Sequence, residues 1–534
     1  MSLLSRIPIL RSIVPPREYT LRYKDEQDRR AVIGSRLLAL ATVATGIAYL
    51  VWLFFALNPH HPWMGGAFLT AEMLCLLLFI TASFSVWRLR YKPPEGLPLV
   101  AQAPSVDIFV TVCGEPLAVV ERTLRAAAAI EWPGPRAVYV LDDGGSDAVK
   151  AEALACGFVY RSRVESNVPL ENAKAGNLNF GLENTDGELV LVLDADQVAD
   201  PRMLHVLAGY MRFPEVGFIQ SRQFYIVPEG DPFFNLDRVF YEAVQLGYDD
   251  RDNAISCGSG VLYRRAALND AGGFASWNLV EDLTTSYQLH SRGWKSFYYP
   301  HAVSLGLAPA DIWGVYRQRG QWALDTMRLF FWDNPLFKRG LPWQGRMSYL
   351  VIPLTYLGAG FVFPFLLVIP LWTYLTGGSV LADSEIEFAL FRGVYFLTMA
   401  IALRTLFRRQ QVGRQFQMLV GMFPIYLMGT LRALAYPPRR HPRYVPNHAR
   451  RSSVPKPAFV AILPQLTLLA ASALLPFYAV VVGTAEPRLI LSNALISAVA
   501  IWSFLPAIFA ALTCKIPNDE LAPYAVYQPA ETDS

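Results

Sequence analysis

Three acidic clusters in the middle of the chain have residue types and spacings suited to binding a metal ion and moving protons. They are Asp142-Asp143-Gly144-Gly145, Asp194-Ala195-Asp196 and Glu281-Asp282. Side chains two residues apart in extended chain point to the same side. Asp194 and Asp196 therefore suit a hard divalent cation that keeps phosphate oxygens as its other ligands. A carboxylate within reach of a hydroxyl group can act as a general base, which is the chemistry that the third cluster offers.

Each candidate segment also has a purely structural interpretation. Asp-Asp-Gly-Gly is a good turn by itself, because Asp caps backbone N–H groups and Gly adopts positive φ. Glu281-Asp282 could supply negative charge at the start of a helix, and Lys174 could be a solvated surface residue. Cys257 could be a small core residue, and Gln318–Trp322 an ordinary helix at the membrane interface. The order and spacing of the segments along one domain decide between the two interpretations.

The segments that must position the clusters alternate between strand and helix patterns. Asp107–Cys113, Arg136–Leu141 and Glu188–Leu193 are short β-rich runs, and Pro116–Ile130 is a helical run with Pro in its first turn. This alternation predicts a mostly parallel α/β sheet, in which ligands bind beyond the carboxyl ends of the strands. Two of the three acidic clusters directly follow such strand ends.

The composition of the 534 residues separates a soluble part from membrane spans. Only 17% of the residues are charged, against roughly 25% in soluble proteins. Thirty of the 44 acidic residues lie between Asp107 and Asp333, whereas six apolar stretches outside that window can each cross a hydrocarbon layer of about 30 Å. These stretches are Ser35–Leu57, Gly66–Trp87, Tyr349–Leu375, Ile386–Leu406, Ala458–Val482 and Leu489–Thr513. A purely soluble enzyme is thereby excluded, and a net charge of +3 is too small to indicate nucleic acid as a partner.

The placement of Lys and Arg predicts the orientation of the spans. Basic residues precede the first stretch and follow the second, which places the N-terminus and residues 100–340 in the cytosol. A seventh apolar segment, Val412–Ala435, lies in a region with ten Lys or Arg and no acidic residue between Arg408 and Lys456. Because a crossing would place much of that positive charge outside, we expect an amphipathic helix in the cytoplasmic interface, followed by a basic loop.

In their order along the chain, these motifs resemble those of the processive family 2 glycosyltransferases, the group of cellulose, curdlan, mixed-linkage glucan, chitin and hyaluronan synthases. The resemblance covers about Val106 to Phe330 and the arrangement of spans on both sides. It is carried by the Asp-Asp-Gly turn, Lys174–Asn179 (KAGNLN), Asp194-Ala195-Asp196 (DxD), the strand Gln220–Phe224, the turn Cys257–Ser259, the pair Glu281-Asp282, His290–Trp294 (HxxGW) and the QxxRW-like Gln318–Trp322.

The resemblance implies a GT-A-like fold and roles for most of these motifs. The residues expected at the donor are Asp142 and Asp143 (uracil and ribose), Lys174, Asp194, Arg317, Gln318, Arg319 and Gln321. Those expected at the acceptor sugar and channel are Cys257, Gly258, Trp322 and Tyr444. Asp194 and Asp196 would bind the metal, Mg²⁺ or Mn²⁺, together with the diphosphate. Asp282 would act as the general base, with Glu281 beside it.

The sequence departs from the family pattern in three places. Gln321 replaces the Arg of QxxRW, which removes a diphosphate partner, and Arg317 or Arg319 could substitute for it. Arg317 precedes Gln321 by four residues and therefore shares its helix face, so we prefer Arg317. Val280 replaces a Thr before the acidic pair, and residues 444–450 are only a loose counterpart of the family's gating loop.

The implied function is a membrane-embedded, processive, inverting transferase that polymerises a β-glucan from a UDP-sugar, with UDP-glucose as the expected donor. Its linkage (β-1,3, β-1,4 or mixed) stays open. One alternative is a non-processive enzyme that transfers a single sugar to polyprenyl phosphate or another lipid. A more remote alternative is a transporter or receptor with a nucleotide-sensing domain, for which Glu72 is the clear ionisable candidate within the spans.

The expected location is the bacterial inner membrane, with the catalytic domain and both termini in the cytosol. The expected partners are the UDP-sugar, the growing glucan chain and the lipid bilayer, and export partners in the periplasm or outer envelope are compatible with them. The expected organisation is a cytosolic N-terminal segment (1–34), two spans (35–90), the transferase domain (100–340), two spans (345–407), an interface helix with a basic gating-type loop (408–456), two spans (457–514) and a cytosolic tail (515–534).

Overall fold

The computed structural model describes residues 26–514, apart from 90–91, 93–95, 100–101, 310, 383, 409, 441 and 443–456. Its centre is one eight-stranded sheet with the order β3-β2-β1-β4-β7-β6-β8-β5. The strands are β1 Val106–Val112, β2 Arg136–Asp142, β3 Val159–Arg161, β4 Leu189–Asp194, β5 Val198–Ala199, β6 Val216–Ile226, β7 Val261–Arg264 and β8 Lys295–Leu307. The three predicted strands are confirmed to within one residue at each end.

The predicted mostly parallel α/β architecture is also confirmed. β1 pairs in parallel with both β2 and β4, β2 with β3, and β6 with β8. β7 runs antiparallel between β4 and β6, and β5 runs antiparallel to β8. The central strands β1 and β4 are buried over almost their whole length, as expected for runs of Val, Ile and Leu covered by helices on both faces.

The register of the sheet brings two acidic clusters to one edge. Val112 at the end of β1 pairs with Asp142 of β2, and Thr111 pairs with Asp194 of β4. The helices of this domain are Leu117–Ala129, Asp147–Ala155, Ala173–Glu183, Met203–Ala208, Gln245–Asp249, Arg265–Ala271, Glu281–Ser291 and Ile312–Trp332. We call Ile312–Trp332 the Gln–Trp helix, because it carries Gln318 and Trp322.

Six helices in the described part of the chain are long and apolar enough to cross a membrane. They are Glu26–Ala56, Pro62–Ser85, Trp343–Thr376, Glu385–Leu406, Leu463–Val482 and Pro487–Thr513. The third consists of Trp343–Leu357 and Phe363–Thr376 joined by the π-helical turn Gly358–Val362. Each of these helices overlaps one of the six predicted stretches, with ends that differ by up to nine residues, and the protein is a multi-pass membrane protein.

The seventh apolar segment folds as two helices rather than one. Val412–Gly421 and Phe423–Ala435 meet at an angle of 61°, and Pro424 occupies the first turn of the second helix. The second helix packs tightly on the Gln–Trp helix, since a Cβ atom on Gly429 would lie 2.9 Å from that of Ala323. Its position in the cytoplasmic interface stays a prediction.

An ion pair joins two of the membrane helices. Nη2 of Arg392 lies 2.7 Å from Oε1 of Glu72, whose side chain is fully buried. The guanidinium also lies over three aromatic rings, 4.7 Å from the centroid of Phe396, 5.2 Å from that of Phe388 and 5.9 Å from that of Phe68. Glu72 is therefore neutralised by a partner on the helix Glu385–Leu406.

Candidate active site

Asp194 and Asp196 stand at the carboxyl end of β4. The backbone N–H of Asp194 donates to Ser259 Oγ (2.9 Å), and Thr111 Oγ1 lies 3.4 Å from Asp194 Oδ1. Burial, followed by the negative charges of Asp194 and Glu115, raises the pKa of Asp196 to about 7. A cation between two carboxylates that repel each other in this way would stabilise both of them.

These two carboxylates fit a divalent cation whose remaining ligands come from a substrate. The described residues contain no cluster of three or more His, Cys, Asp or Glu side chains suited to holding a metal ion. A Mg²⁺-type ion is commonly bound by one or two protein carboxylates together with phosphate oxygens and water. The donor set of Asp194 and Asp196 matches that pattern.

Lys174, near the start of the helix Ala173–Glu183, lies between the carboxylates at the end of β4 and the pair Glu281-Asp282. Its Nζ lies 2.5 Å from Asp194 Oδ1 and 3.3 Å from Glu281 Oε1, and it donates to the backbone oxygen of Gly258 (2.7 Å). Burial lowers the pKa of Lys174, but the carboxylates around it outweigh burial, and the pKa lies well above its usual value. Lys174 is therefore a charged link within the site rather than a solvated surface residue.

Glu281 and Asp282 open the helix Glu281–Ser291 on the other side of Lys174. Burial, followed by the charge of Glu281, raises the pKa of Asp282 to about 8, and burial also raises the pKa of Glu281. Gly258 approaches closely, since its φ is +82° and a Cβ atom there would lie 2.8 Å from Asp282 Oδ2. A carboxyl group with a pKa near the working pH is suited to general-base catalysis.

The turn that contains Cys257 and Gly258 is held by two glutamines of β6. Gln220 Oε1 accepts from the backbone N–H of Cys257 (2.7 Å), and its Nε2 donates to the backbone oxygen of Ser259 (2.8 Å). Gln223 Nε2 donates to the backbone oxygen of Cys257 (2.9 Å). Because burial raises the pKa of the Cys257 thiol, this side chain stays protonated and contributes shape rather than charge.

Asp142 and Asp143 are adjacent in sequence but have different surroundings. Asp142 is fully buried, and its carboxylate accepts hydrogen bonds from two backbone N–H groups of the turn and from Tyr160 Oη (2.9 Å). Asp143 borders the cavity and binds Arg163 through both oxygens, at 2.8 and 2.5 Å. Asp142 therefore stabilises the backbone of the turn, and Asp143 is the residue of the turn that borders the cavity.

The Gln–Trp helix contributes Arg317, Gln318, Arg319, Gln321 and Trp322 to the cavity wall. Arg319 is largely buried although it borders the cavity, and its Nη2 donates to two backbone oxygens, those of Phe233 (3.1 Å) and Phe234 (3.0 Å). Gln321 directs Nε2 at Asp325 Oδ2, 2.6 Å away. Arg319 and Gln321 thus border the cavity but hydrogen-bond to other groups of the protein, whereas the side chain of Arg317 is exposed.

One cavity of about 2760 Å³ borders on nearly all of these residues. Its wall includes Asp143, Lys174, Asp194, Asp196, Cys257, Gly258, Glu281, Asp282, Gln318 and Trp322. The same cavity continues between the membrane helices, where Arg392, Phe416 and Trp502 border it. The acidic site and the membrane part of the protein therefore share one space.

Comparison with known families identifies the domain. Residues 104–324 match the family model described as Glycosyltransferase like family 2, and residues 270–410 match the model described as Cellulose synthase. The α/β domain is a family 2 glycosyltransferase domain. The resemblance that the motifs predicted is thereby confirmed.

Curated relatives of the glycosyltransferase domain include bacterial cellulose synthases. The chain is 33% identical to cellulose synthase 1 of Komagataeibacter xylinus over 57% of this chain and 20% of that protein. It is 32% identical to the UDP-forming cellulose synthase catalytic subunit of Komagataeibacter sucrofermentans, over 59% of this chain and 43% of that protein. It is 33% identical to the corresponding subunit of Xanthomonas axonopodis pv. citri, over 54% of this chain and 40% of that protein. The chain thus spans 20% to 44% of the length of the curated relatives that it matches.

A solved structure similar to this one is the mannosyltransferase PcManGT from Pyrobaculum calidifontis in complex with GDP-Man and Mn²⁺. It has a TM-score of 0.49 and 17% sequence identity, covering 74% of this chain and 99% of that chain.

The glycosyltransferase domain places most of the predicted site residues around one cavity, but three differ from expectation in their surroundings. Asp142 lies beneath its turn and does not border the cavity. Arg319 and Gln321 border the cavity, but they hydrogen-bond to the backbone of Phe233 and Phe234 and to Asp325, respectively. Tyr444 and the loop 444–450 lie outside the described residues. Sequence reasoning did not identify Arg163, because no local pattern indicates its ion pair with Asp143, which lies 20 residues away in the chain.

Proposed function

We propose that the protein is a processive, inverting glycosyltransferase that polymerises a β-glucan from UDP-glucose and passes the growing chain across the bilayer. The observation that carries this proposal is the shared cavity, in which the acidic site and Trp322 open into the space between the membrane helices. An enzyme that extends a chain must keep its product next to the base, and this space gives the product room to do so. A lipid-linked acceptor would also reach the base through this space, so the size of the product distinguishes the two functions.

In the proposed reaction, Asp282 takes the proton of the acceptor hydroxyl as that oxygen attacks the anomeric carbon of the donor. The bond from this carbon to the UDP oxygen breaks on the opposite face, so an α-linked donor yields a β-linked product. Asp194 and Asp196 would hold Mg²⁺ or Mn²⁺, which would stabilise the charge of the departing diphosphate. Asp143, Lys174, Gln318 and Arg317 would contact the donor, and Cys257, Gly258 and Trp322 the acceptor sugar.

We further propose that the protein lies in the bacterial inner membrane with this domain and both termini in the cytosol, where UDP-sugars are made. The basic residues on that side support this orientation. The partners would then be the UDP-sugar, the bilayer and the glucan chain, with export proteins beyond the membrane.

The test is synthesis by the purified full chain in detergent or nanodiscs. It is incubated with radiolabelled UDP-glucose and Mg²⁺, and the ethanol-insoluble product is digested with β-1,3- and β-1,4-specific glucanases. We expect an insoluble polymer that one of these enzymes dissolves. A product of one sugar that extracts into organic solvent would instead establish the lipid-linked alternative, and release of no UDP from UDP-glucose would overturn the donor assignment.

A further inference from the structure

Asp325, one turn after Gln321 on the Gln–Trp helix, binds the backbone just before the acidic pair. Its side chain is fully buried, and Oδ2 accepts hydrogen bonds from the backbone N–H of Val280 (3.0 Å) and from Nε2 of Gln321 (2.6 Å). Val280 is the residue from which the helix Glu281–Ser291 starts, and its apolar side chain makes no capping hydrogen bond. Asp325 therefore fixes the start of this helix from another element.

Asn278 and Arg328 hold the same segment to the Gln–Trp helix. Asn278 Nδ2 donates to the backbone oxygen of Asp325 (2.9 Å), and Arg328 Nη1 donates to Asn278 Oδ1 (2.8 Å). Arg328 is fully buried, and its Nη1 lies 3.5 Å from Asp325 Oδ1. Residues 278–280 are thus bound to one helix at successive points, and these bonds set where the acidic pair begins.

These contacts give Gln321 a different role from the Arg that the family places at its position. The amide of Gln321 donates to the buried carboxylate of Asp325. The same carboxylate accepts from the backbone N–H of Val280, so Gln321 is linked to the start of the acidic pair only through Asp325. We propose that Asp325 is a positioning residue that sets the orientation of Asp282 toward the acceptor hydroxyl, and that Gln321 acts by orienting Asp325. This inference rests on the proposed function, in which Asp282 is the general base.

A base that is displaced by about 1 Å can lose roughly a hundredfold in rate while the donor still binds. The experiment therefore measures kcat and KM for UDP release from UDP-glucose, and the Kd of UDP, on protein in nanodiscs. Asp325→Ala should lower kcat about ten- to hundredfold with donor KM and UDP Kd unchanged. Asp325→Asn keeps an oxygen that accepts from Val280, and should retain kcat within about threefold. Asp333→Asn removes a partly exposed ion pair with Lys338 at the end of the same helix and is the matched control.

Gln321→Leu separates positioning from donor binding. Positioning predicts a lower kcat at unchanged donor KM, whereas a raised donor KM or UDP Kd at unchanged kcat would show that Gln321 contacts the donor and would overturn its assigned role. Wild-type kcat in Asp325→Ala would overturn the role of Asp325. Retained UDP affinity in Asp325→Ala, together with the activity of Asp325→Asn, distinguishes displacement of the base from misfolding. A wild-type protein that releases no UDP would overturn the proposed function and this inference with it, whereas an active one with unaffected variants would overturn this inference alone.

Discussion

Lys174 and Asp194 form an ion pair at the carboxyl edge of the sheet, with 2.5 Å between Nζ and Oδ1. The pair joins the helix Ala173–Glu183 to the end of β4. Since the same ammonium group lies 3.3 Å from Glu281, one positive charge offsets the carboxylates on both sides of the site. The protonation of the acidic pair is therefore coupled to Lys174.

Lys174→Met should move the pH dependence of the reaction to higher pH. The positive charge of Lys174 lowers the pKa of Asp282, so its removal raises that pKa further and leaves less carboxylate at neutral pH. The pH profile of the UDP-release rate measures this shift. Lys295→Met, which removes surface ion pairs with Glu215 and Asp252 outside the site, is the control. Coincident profiles for Lys174→Met and the wild type would contradict the coupling.

Asp282→Asn should lower the rate about 10²–10⁴-fold, the usual cost of losing a general base, while UDP affinity stays near the wild-type value. A base works when it is deprotonated, and burial raises the pKa of Asp282 to about 8. The wild-type rate should therefore rise with pH and level off above about 8. Polymer synthesis by the variant at a tenth of the wild-type rate would remove Asp282 from this role.

Asp196→Ala should abolish the metal dependence of donor binding. In the proposed site Asp196 would be one of the two carboxylates that hold the cation needed for diphosphate binding, so the variant would lose one of these two ligands. Titration of UDP in the presence of Mg²⁺ and again with EDTA gives the measurement. A variant whose affinity for UDP still falls on adding EDTA, as in the wild type, would exclude Asp196 from the metal site.

Arg317→Ala and Arg319→Ala should fail in different ways, and each serves as the control for the other. Arg317 borders the cavity, and charge-assisted hydrogen bonds to phosphate are worth about 1.5–3 kcal/mol, so its removal should raise the donor KM roughly ten- to hundredfold. Arg319 holds the backbone oxygens of Phe233 and Phe234, so its removal should cost about 1–3 kcal/mol of stability. Kinetics and thermal unfolding distinguish the two, and a raised donor KM in Arg319→Ala alone would reverse the assignment.

Much of this fold is readable from local pattern, because a buried strand needs a continuous apolar run and a span needs about 20 such residues. The direction in which an individual side chain points cannot be read from local pattern in the same way. Asp142 and Asp143 are chemically identical neighbours, yet one turns under the chain and the other meets Arg163. Arg319 is likewise directed by backbone groups far along the chain, which no short pattern records. Gln321 differs, because its partner Asp325 lies four residues later on the same helix, a spacing that the sequence does show.

The ion pair of Glu72 and Arg392 also governs how the membrane part is assembled. An arginine near the middle of a membrane helix costs about 2.5–3.5 kcal/mol to insert alone. Glu72 supplies the compensating charge, but it lies on the helix Pro62–Ser85, on the far side of the whole glycosyltransferase domain in sequence. We therefore expect Glu385–Leu406 to insert more favourably when the earlier helix already stands in the bilayer beside it, which favours assembly from the N-terminal helices onward.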